Sequence, residues 1–270
     1  DREYQMLRSA ALHIIEAMGI EGGCNCQFAL DPESMNYAVI EVNPRVSRSS
    51  ALASKASGYP IARVTAKVAV GMNLDEIAVA NTTAAFEPSL DYVVAKLPRF
   101  PFDKFSSANN KLSTQMKATG EVMSVGRTIE ESLLKAARSL EIGVNHLYMK
   151  KFDVFADEEL LDYIKDGTDD RIYAIAELMR RQADLGMIYD ATKIDMLFLE
   201  KVKNIIIMER ELSEHIGDAG VLYKAKKMGF SDAFIGKLWG KSDEEIYKIR
   251  EKRYIFPVYK MIDTCASVFE

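Results

Sequence analysis

The spacing of apolar residues predicts a mixed helix and strand region in the first half of the chain. Apolar side chains recur three and four positions apart over residues 3–18, the period of an amphipathic helix, and Gly19 is placed to end it. The runs GCNCQFAL and YAVIEVN, joined by the turn-rich DPESMN, predict a strand hairpin. The same criteria then predict, in order, helices over 50–57 and 61–70, a strand over 92–97 ended by Pro98, strand character within 113–128, and a helix over 129–141.

From about residue 145 the strand signals fade and helical windows follow one another. These windows cover 158–165, 170–183, 193–216, 218–228, 231–239 and 242–253. The pattern predicts a mixed α and β portion over residues 1–145, followed by an all-α domain over 146–270.

The longest of these windows, residues 193–216, is apolar on more than one side. A helical wheel predicts one buried stripe and leaves four apolar residues outside it. A helix of this kind is either central in its domain or shared with a partner, and the pattern alone leaves both readings open. The stripe is Ile194, Leu197, Phe198, Val202, Ile205, Met208, Leu212 and Ile216; Met196, Leu199, Ile206 and Ile207 fall outside it.

The second strand of the hairpin leads into the run IEVNPRVSRSS, which begins as an apolar, buried-type strand and turns polar and cationic. Alternation along a strand places Glu41 and Asn43 on one face, with Tyr37 and Val39, about 7 Å apart along the strand. Gln27 in the first strand can face the same side. One carboxylate and two amide oxygens are ligands suited to Mg²⁺, with phosphates and water completing its shell.

Two arginines, Arg45 and Arg48, follow this pair directly. A guanidinium offers fixed donors to a phosphate, and positive charge near a phosphoryl group stabilises its transfer. The alternative is that Glu41 and Asn43 end an exposed strand while both arginines are solvated. The spacing does not separate these readings.

Composition narrows the functional classes. The net charge is −5, with 15 basic against 16 acidic residues up to residue 145 and 20 against 24 beyond it, so neither part has the basic surplus of a nucleic-acid or membrane-surface binder. No apolar run approaches the roughly 20 residues of a membrane-spanning helix. The chain opens on Asp1 without Met or a leader, which predicts a piece of a longer protein.

The cysteines, histidines and the tryptophan discussed next are interpreted as structural residues, not as catalytic ones. Cys24 and Cys26 are predicted to be buried thiols of a cytoplasmic protein, with metal ligation by this lone Cys-x-Cys pair as the alternative. A structural zinc needs four ligands, and no further Cys or His cluster supplies the other two. The three histidines, His13, His146 and His215, lie far apart and are interpreted as non-catalytic. Trp239 is predicted to anchor helix packing.

Five longer segments carry a family resemblance. GGCNCQFAL, VIEVNPRVSRSSALASKASGYPIARVTAKVAVG, FEPSLDYVVAKLPRF, TQMKATGEVMSVGRT and FPVYKMIDTCASVFE are similar, in this order, to the large subunit of carbamoyl phosphate synthetase. NPRVSRSSALASKA resembles the first of that subunit's two ATP-grasp halves. The resemblance implies the C-terminal part of the carboxyphosphate-forming ATP-grasp domain over 1–145 and a helical oligomerisation domain over 146–270.

The resemblance also implies residue roles. Gln27, Glu41 and Asn43 match the family's ligands for Mg²⁺ or Mn²⁺, and Gln27 and Glu41 also lie beside ATP in the family. Arg45 matches an arginine that contacts phosphate or bicarbonate-derived anions, and Arg48 matches a lining residue of the carbamate route. The family phosphorylates bicarbonate with ATP, converts carboxyphosphate to carbamate, and then forms carbamoyl phosphate for pyrimidine or arginine biosynthesis. Cys24 and Cys26 depart from the family, where other small residues are usual.

Partners follow from the same resemblance: ATP and bicarbonate as substrates, a glutaminase small subunit, and a second copy bound through the helical domain. The chain alone is expected to be inactive, since it shows no Gly-rich phosphate-covering loop. Two alternatives remain. One is an interaction module; the other is an ATP-grasp carboxylase such as biotin carboxylase, which would predict Gln-Val-Glu-His where Val46 to Ser50 stands.

Overall fold

The chain divides into two compact units, residues 1–91 and 92–259. A computed structural model describes residues 1–102, 104–105, 107–117 and 119–259. The last eleven residues of the quoted motif FPVYKMIDTCASVFE lie outside the described residues. The boundary predicted at about residue 145, where strand signals give way to helical windows, differs from this division into units and stays a prediction about sequence domains.

The first unit holds the predicted hairpin between helices. Its elements are α1 (Arg2–Ala17), β1 (Asn25–Leu30), β2 (Tyr37–Asn43), α2 (Arg48–Ser57), α3 (Ile61–Val68), β3 (Ala78–Val79) and β4 (Thr82–Thr83). Strands β1 and β2 form one antiparallel pair, and β3 and β4 form another. The short β3–β4 pair was not predicted, because two-residue strands carry no periodic signal.

Few side chains are buried in the first unit. Its described apolar cluster consists of Val64, Ile77, Val79 and Ala84, against which Tyr59 packs while its hydroxyl donates to the Ala84 carbonyl at 2.7 Å. The prediction that the second hairpin strand is buried is wrong: every residue of β2 from Tyr37 to Glu41 is exposed. Among the described residues no third strand pairs with β1 or β2, and isolated two-stranded hairpins are marginal by themselves.

The second unit begins with a strand pair and continues as helices. Its elements are β5 (Val93–Arg99), β6 (Gly120–Gly126), α4 (Ile129–Ser139), a 3₁₀ turn (Lys150–Phe152), α5 (Asp157–Tyr163), α6 (Arg171–Arg180), α7 (Leu185–Thr192), α8 (Met196–Glu214), α9 (Ala219–Lys227), α10 (Asp232–Trp239) and α11 (Asp243–Lys252). All regular elements described after residue 126 are helical. None of the described helices has both the length and the apolarity to span a membrane.

The second unit differs from the sequence predictions at two places, each for a local reason. Strand β5 continues through Pro98, which pairs with Glu121, instead of ending there. Proline is tolerated at this position because an edge strand leaves some N–H positions outside the ladder. Helix α7 was not predicted; it begins after Asp184, whose carboxylate accepts from the Gly186 and Met187 amides as a helix cap.

The predicted stripe of the long helix α8 is only partly right. Leu199 and Ile206, placed outside the stripe, are buried, whereas Leu197 and Phe198, placed within it, are 50% and 53% exposed. The helix begins at Met196, one turn later than the predicted window, and neighbours cover a broader face than a single stripe. Ile207, also placed outside the stripe, is 50% exposed and lies on the side of α8 opposite Phe198.

A large apolar core runs through the second unit. Trp239 is 5% exposed in it and donates from Nε1 to the Leu212 carbonyl at 2.8 Å, which confirms its predicted role as a packing anchor. The other large, fully buried members include Leu134, Leu147, Phe152, Tyr173, Leu178, Ile205 and Phe230.

One titratable group lies inside this core. His146 is 1% exposed and stacks on Phe234 with ring centroids 3.7 Å apart. Its Nε2 lies 3.3 Å from a Glu209 carboxylate oxygen without favourable hydrogen-bond alignment, and Arg180 binds the same carboxylate through two nitrogens. Burial lowers the pKa of His146, an effect that Glu209 opposes.

We expect this imidazole to make the second unit less stable in acid. An unfolded histidine titrates near pH 6.5, so below that pH the unfolded chain binds a proton that the folded chain does not. The free energy of unfolding then falls as the pH falls, by up to about 1.4 kcal/mol per pH unit for one proton. In His146→Phe, the free energy of unfolding measured with denaturant should fall less between pH 7 and pH 5 than it does in the wild type.

The exposed His215, in the same unit, provides the matched control as His215→Phe. An unchanged slope in His146→Phe contradicts this interpretation of the core.

Candidate functional site

A β-bulge in the hairpin determines which side chains share a face. Gln27 pairs with Glu41 but Phe28 pairs with Val39, so Ile40 is an extra residue on β2. Directly paired residues lie on the same face of a two-stranded sheet. The bulge therefore changes the alternation that the sequence predicted: Val39 lies on the face of Phe28, opposite the face of Glu41.

This shift separates polar from apolar residues. One face, called here the polar face, carries Asn25, Gln27, Ala29, Ala38, Glu41 and Asn43; the other, the apolar face, carries Cys26, Phe28, Leu30, Tyr37, Val39 and Val42. On the apolar face the rings of Phe28 and Tyr37 meet edge to face with centroids 5.7 Å apart. Ile40, the inserted residue, is 62% exposed.

Three predicted site residues meet on the polar face. The amide nitrogens of Gln27 and Asn43 both donate to Oε1 of Glu41, each at 2.9 Å. Glu41 and Gln27 are exposed, and Asn43 is half-buried. The group, called here the Gln-Glu-Asn cluster, joins residues 14 positions apart in sequence through strand pairing.

The donor set of this cluster suits a hard cation that also binds phosphate. It offers one carboxylate and two amide groups, and Mg²⁺ in nucleotide sites takes one or two carboxylates while phosphates and water complete its shell. Within residues 1–259, apart from the three undescribed positions, no group of three or more His, Cys, Asp or Glu side chains is arranged to hold a metal ion. Any cation at the cluster would thus depend on its amide oxygens and on the ligand that accompanies it.

The chain turns sharply after the cluster. The Arg45 amide donates to the Asn43 carbonyl at 2.8 Å across Pro44, and the chain then enters α2 at Arg48. Both arginine side chains are exposed. Their position between a strand end and a helix N-terminus is one where backbone amides and cations favour an anion.

The start of α2 is set by serines to which the sequence analysis gave no role. Ser47 is the N-cap, its amide donates to Ser50 Oγ at 3.1 Å, and its hydroxyl lies 2.6 Å from that of Ser49. The helix was predicted to begin at Ser50 and begins two residues earlier for this reason. A serine directly before a helical window is a preferred N-cap, and Ser50 takes the place that Glu or Gln has in the usual capping box.

Close packing also holds the entry to β1. A Cβ on Gly23 would lie 2.8 Å from Thr65 Oγ1 and 3.0 Å from a Val46 methyl, so only glycine allows α3 and the arginine turn to approach this strand. Gly22 adopts φ +105°, a conformation that other residues rarely take. The absence of side chains at these two glycines lets the entry to β1 lie close to Thr65 of α3.

Two thiols lie at the same strand entry. Cys24 and Cys26 are both half-buried and reduced, with sulfurs 4.0 Å apart. Burial, with a smaller contribution from Cys26, raises the pKa of the Cys24 thiol. The prediction of buried thiols is therefore met in part only, because both side chains keep some exposure.

Comparison with protein families identifies two segments. Residues 1–77 match the model of the carbamoyl-phosphate synthase L chain, ATP binding domain, and residues 121–254 match the model of the carbamoyl-phosphate synthetase large chain, oligomerisation domain. The first match contains the Gln-Glu-Asn cluster and both arginines; the second contains α4 to α11. Since both models describe parts of one protein, in the order that the sequence segments predicted, the chain belongs to the family of carbamoyl-phosphate synthetase large chains.

Proposed function

We propose that this chain is part of an ATP-grasp ligase that phosphorylates bicarbonate to carboxyphosphate and leads on to carbamate and carbamoyl phosphate. The observation that carries the proposal is the Gln-Glu-Asn cluster, formed within the segment that matches the ATP-binding family. The match to an oligomerisation domain supports carbamoyl phosphate synthetase over biotin carboxylase. A glutaminase small subunit would supply ammonia to the complete enzyme.

In this proposal the cluster binds the metal–nucleotide complex. Glu41 supplies the charged ligand, and Gln27 and Asn43 supply amide oxygens in place of the N–H groups that now satisfy Glu41. Mg²⁺ or Mn²⁺, when bound, would neutralise charge on the β and γ phosphates. Gln27 and Glu41 would also lie beside ATP, and their contacts with the nucleotide would orient the phosphates of ATP for in-line attack.

The arginines act on the anions of the reaction. Arg45 follows the cluster by one tight turn and is proposed to bind the transferred phosphoryl group or the bicarbonate-derived anion. Arg48, in the first turn of α2, is proposed to line the route that carbamate takes. Because Ser47 and Ser50 fix the helix start, they position Arg48 and are not themselves catalytic residues.

Removing the charge of Glu41 tests this assignment in the complete enzyme. Glu41→Gln keeps the shape of the side chain but loses the charged ligand, and Asn43→Asp places a second negative charge 2.9 Å from it. We expect bicarbonate-dependent ATP hydrolysis to fall about a hundredfold in each, since one positioned electrostatic group is worth on the order of 3 kcal/mol. Glu33→Gln, an exposed glutamate in the turn of the same hairpin, is the matched control.

Thermal unfolding of each variant shows whether the fold is intact. Wild-type hydrolysis in Glu41→Gln, with the fold unchanged, would show that this carboxylate is not a ligand in the reaction.

The 270-residue chain by itself is expected to lack this activity. Its first unit presents one side of a nucleotide site on a hairpin whose β2 strand is exposed, and its described buried apolar cluster has four members. Turnover needs groups on both sides of the nucleotide to exclude water and align the phosphates. Phosphate release from ATP should therefore not rise with bicarbonate above that of a Glu41→Ala control; a clear rise refutes the expectation.

A second proposed role is self-association through the helical part. Leu197, Phe198, Ile207 and Ile216 are each at least half exposed although they belong to or flank the long helix α8, and the segment matches an oligomerisation domain. A large apolar side chain that the fold leaves in water gains free energy when a partner covers it. The same exposure supports the alternative in which association is the main role of this chain.

We expect the chain to form at least weak homodimers through residues after 145, burying on the order of 1,200 Å² or more. Sedimentation at rising concentration measures this, and Phe198→Ser should weaken the dimer while Val154→Ser, an exposed apolar residue outside α8, serves as the control. Strictly monomeric behaviour at hundreds of micromolar, in several salt conditions, excludes the interface.

A further inference from the structure

We propose that Cys24 and Cys26 form a chelating site for a soft, thiophilic metal ion on the apolar face of the hairpin, separate from the Gln-Glu-Asn cluster. The two thiols are two residues apart, so extended chain directs both to the side of the sheet opposite Gln27. Their sulfurs lie 4.0 Å apart, and neither is in a disulfide. Both keep partial exposure, which gives an ion access.

The sulfur separation fits a bridging ion without movement of the backbone. Metal–sulfur bonds of about 2.3 Å, the length found for zinc thiolates, span sulfurs 4.0 Å apart at an S–metal–S angle of about 120°. That angle is the value of trigonal coordination, about 10° wider than the tetrahedral value. The site has the dimensions of a two-thiolate chelate before any ion binds.

A disulfide between the same residues fits less well. It needs the sulfurs about 2.05 Å apart, roughly half their present separation. Residues two apart in a strand have Cα atoms about 6.6 to 6.8 Å apart, at the upper limit for a disulfide. Cys26 is also held in the strand ladder opposite Val42, so closing the bond would distort the start of β1.

Ligand chemistry separates this site from the nucleotide site. Thiolates select soft ions such as Cu⁺, Cd²⁺ and Hg²⁺, whereas carboxylate and amide oxygens select Mg²⁺ and Mn²⁺. Binding forms two metal–sulfur bonds and releases two thiol protons, with no change of oxidation state. Because the protein supplies only two ligands, the ion has low coordination or completes its shell with water or a small thiol.

Cadmium chloride added to the reduced full chain tests the proposal. We expect one Cd²⁺ per chain, an ultraviolet sulfur-to-cadmium charge-transfer band, and retention of that band in excess MgCl₂. The band should be lost in Cys24→Ser and in Cys26→Ser and kept in Cys265→Ser, which leaves the proposed pair intact. Glu41→Gln should also keep the band, because Glu41 belongs to the Gln-Glu-Asn cluster. Cd²⁺ binding by the thiol pair can therefore be established or excluded whether or not that cluster binds a metal–nucleotide complex.

A second measurement needs no variant. Cd²⁺ should protect Cys24 and Cys26 together from alkylation by iodoacetamide, read by peptide mass mapping, while the extent of Cys265 alkylation is the same with and without Cd²⁺. Protection of only one of the pair, a band that depends on Cys265, or displacement of the ion by Mg²⁺ would overturn the proposal.

Discussion

The single extra residue in β2 is the constraint on which the candidate site depends. With Ile40 inserted, Gln27 pairs with Glu41 while Phe28 pairs with Val39, and the polar residues of both strands gather on one face. Without the bulge, strict alternation would place Val39 beside Glu41. A slip of one residue along a strand moves each of its side chains to the opposite face. Because the bulge at Ile40 is such a slip, residues of β2 before Ile40 lie on the faces opposite to those that strict alternation from Glu41 would give.

The cluster that results is already satisfied by its own hydrogen bonds. Glu41 accepts from two amides at 2.9 Å, which holds an exposed carboxylate in place on a hairpin with little core behind it. The stable packing of the chain lies in the other unit, where Trp239 and its neighbours fill a continuous core. The candidate site and the large apolar core thus lie in different units of this chain, and a different family model matches each of the two segments.

Sequence reasoning identified most elements and the proximity of Gln27, Glu41 and Asn43, because amphipathic periods and strand alternation are local signals. It could not find the bulge at Ile40, since an inserted apolar residue looks like any other residue of an apolar strand. It also misplaced Leu199 and Phe198, because a helical wheel does not show how widely neighbouring helices cover α8 or where that cover stops. The prediction that Arg45 and Arg48 bind anions came from two guanidinium groups placed directly after the strand, and the family resemblance implied which anions. The structure shows the tight turn before Arg45 and the serine cap before Arg48.

The most direct test of the account is the anomalous diffraction signal of Mn²⁺ in crystals of the complete enzyme with a non-hydrolysable ATP analogue. We expect a peak within coordination distance of the Glu41 carboxylate and of at least one amide oxygen from Gln27 or Asn43. The hydrogen bonds that these two side-chain amides donate to Glu41 should then be absent. A nucleotide-bound peak away from Glu41, with both of those hydrogen bonds intact, would contradict it.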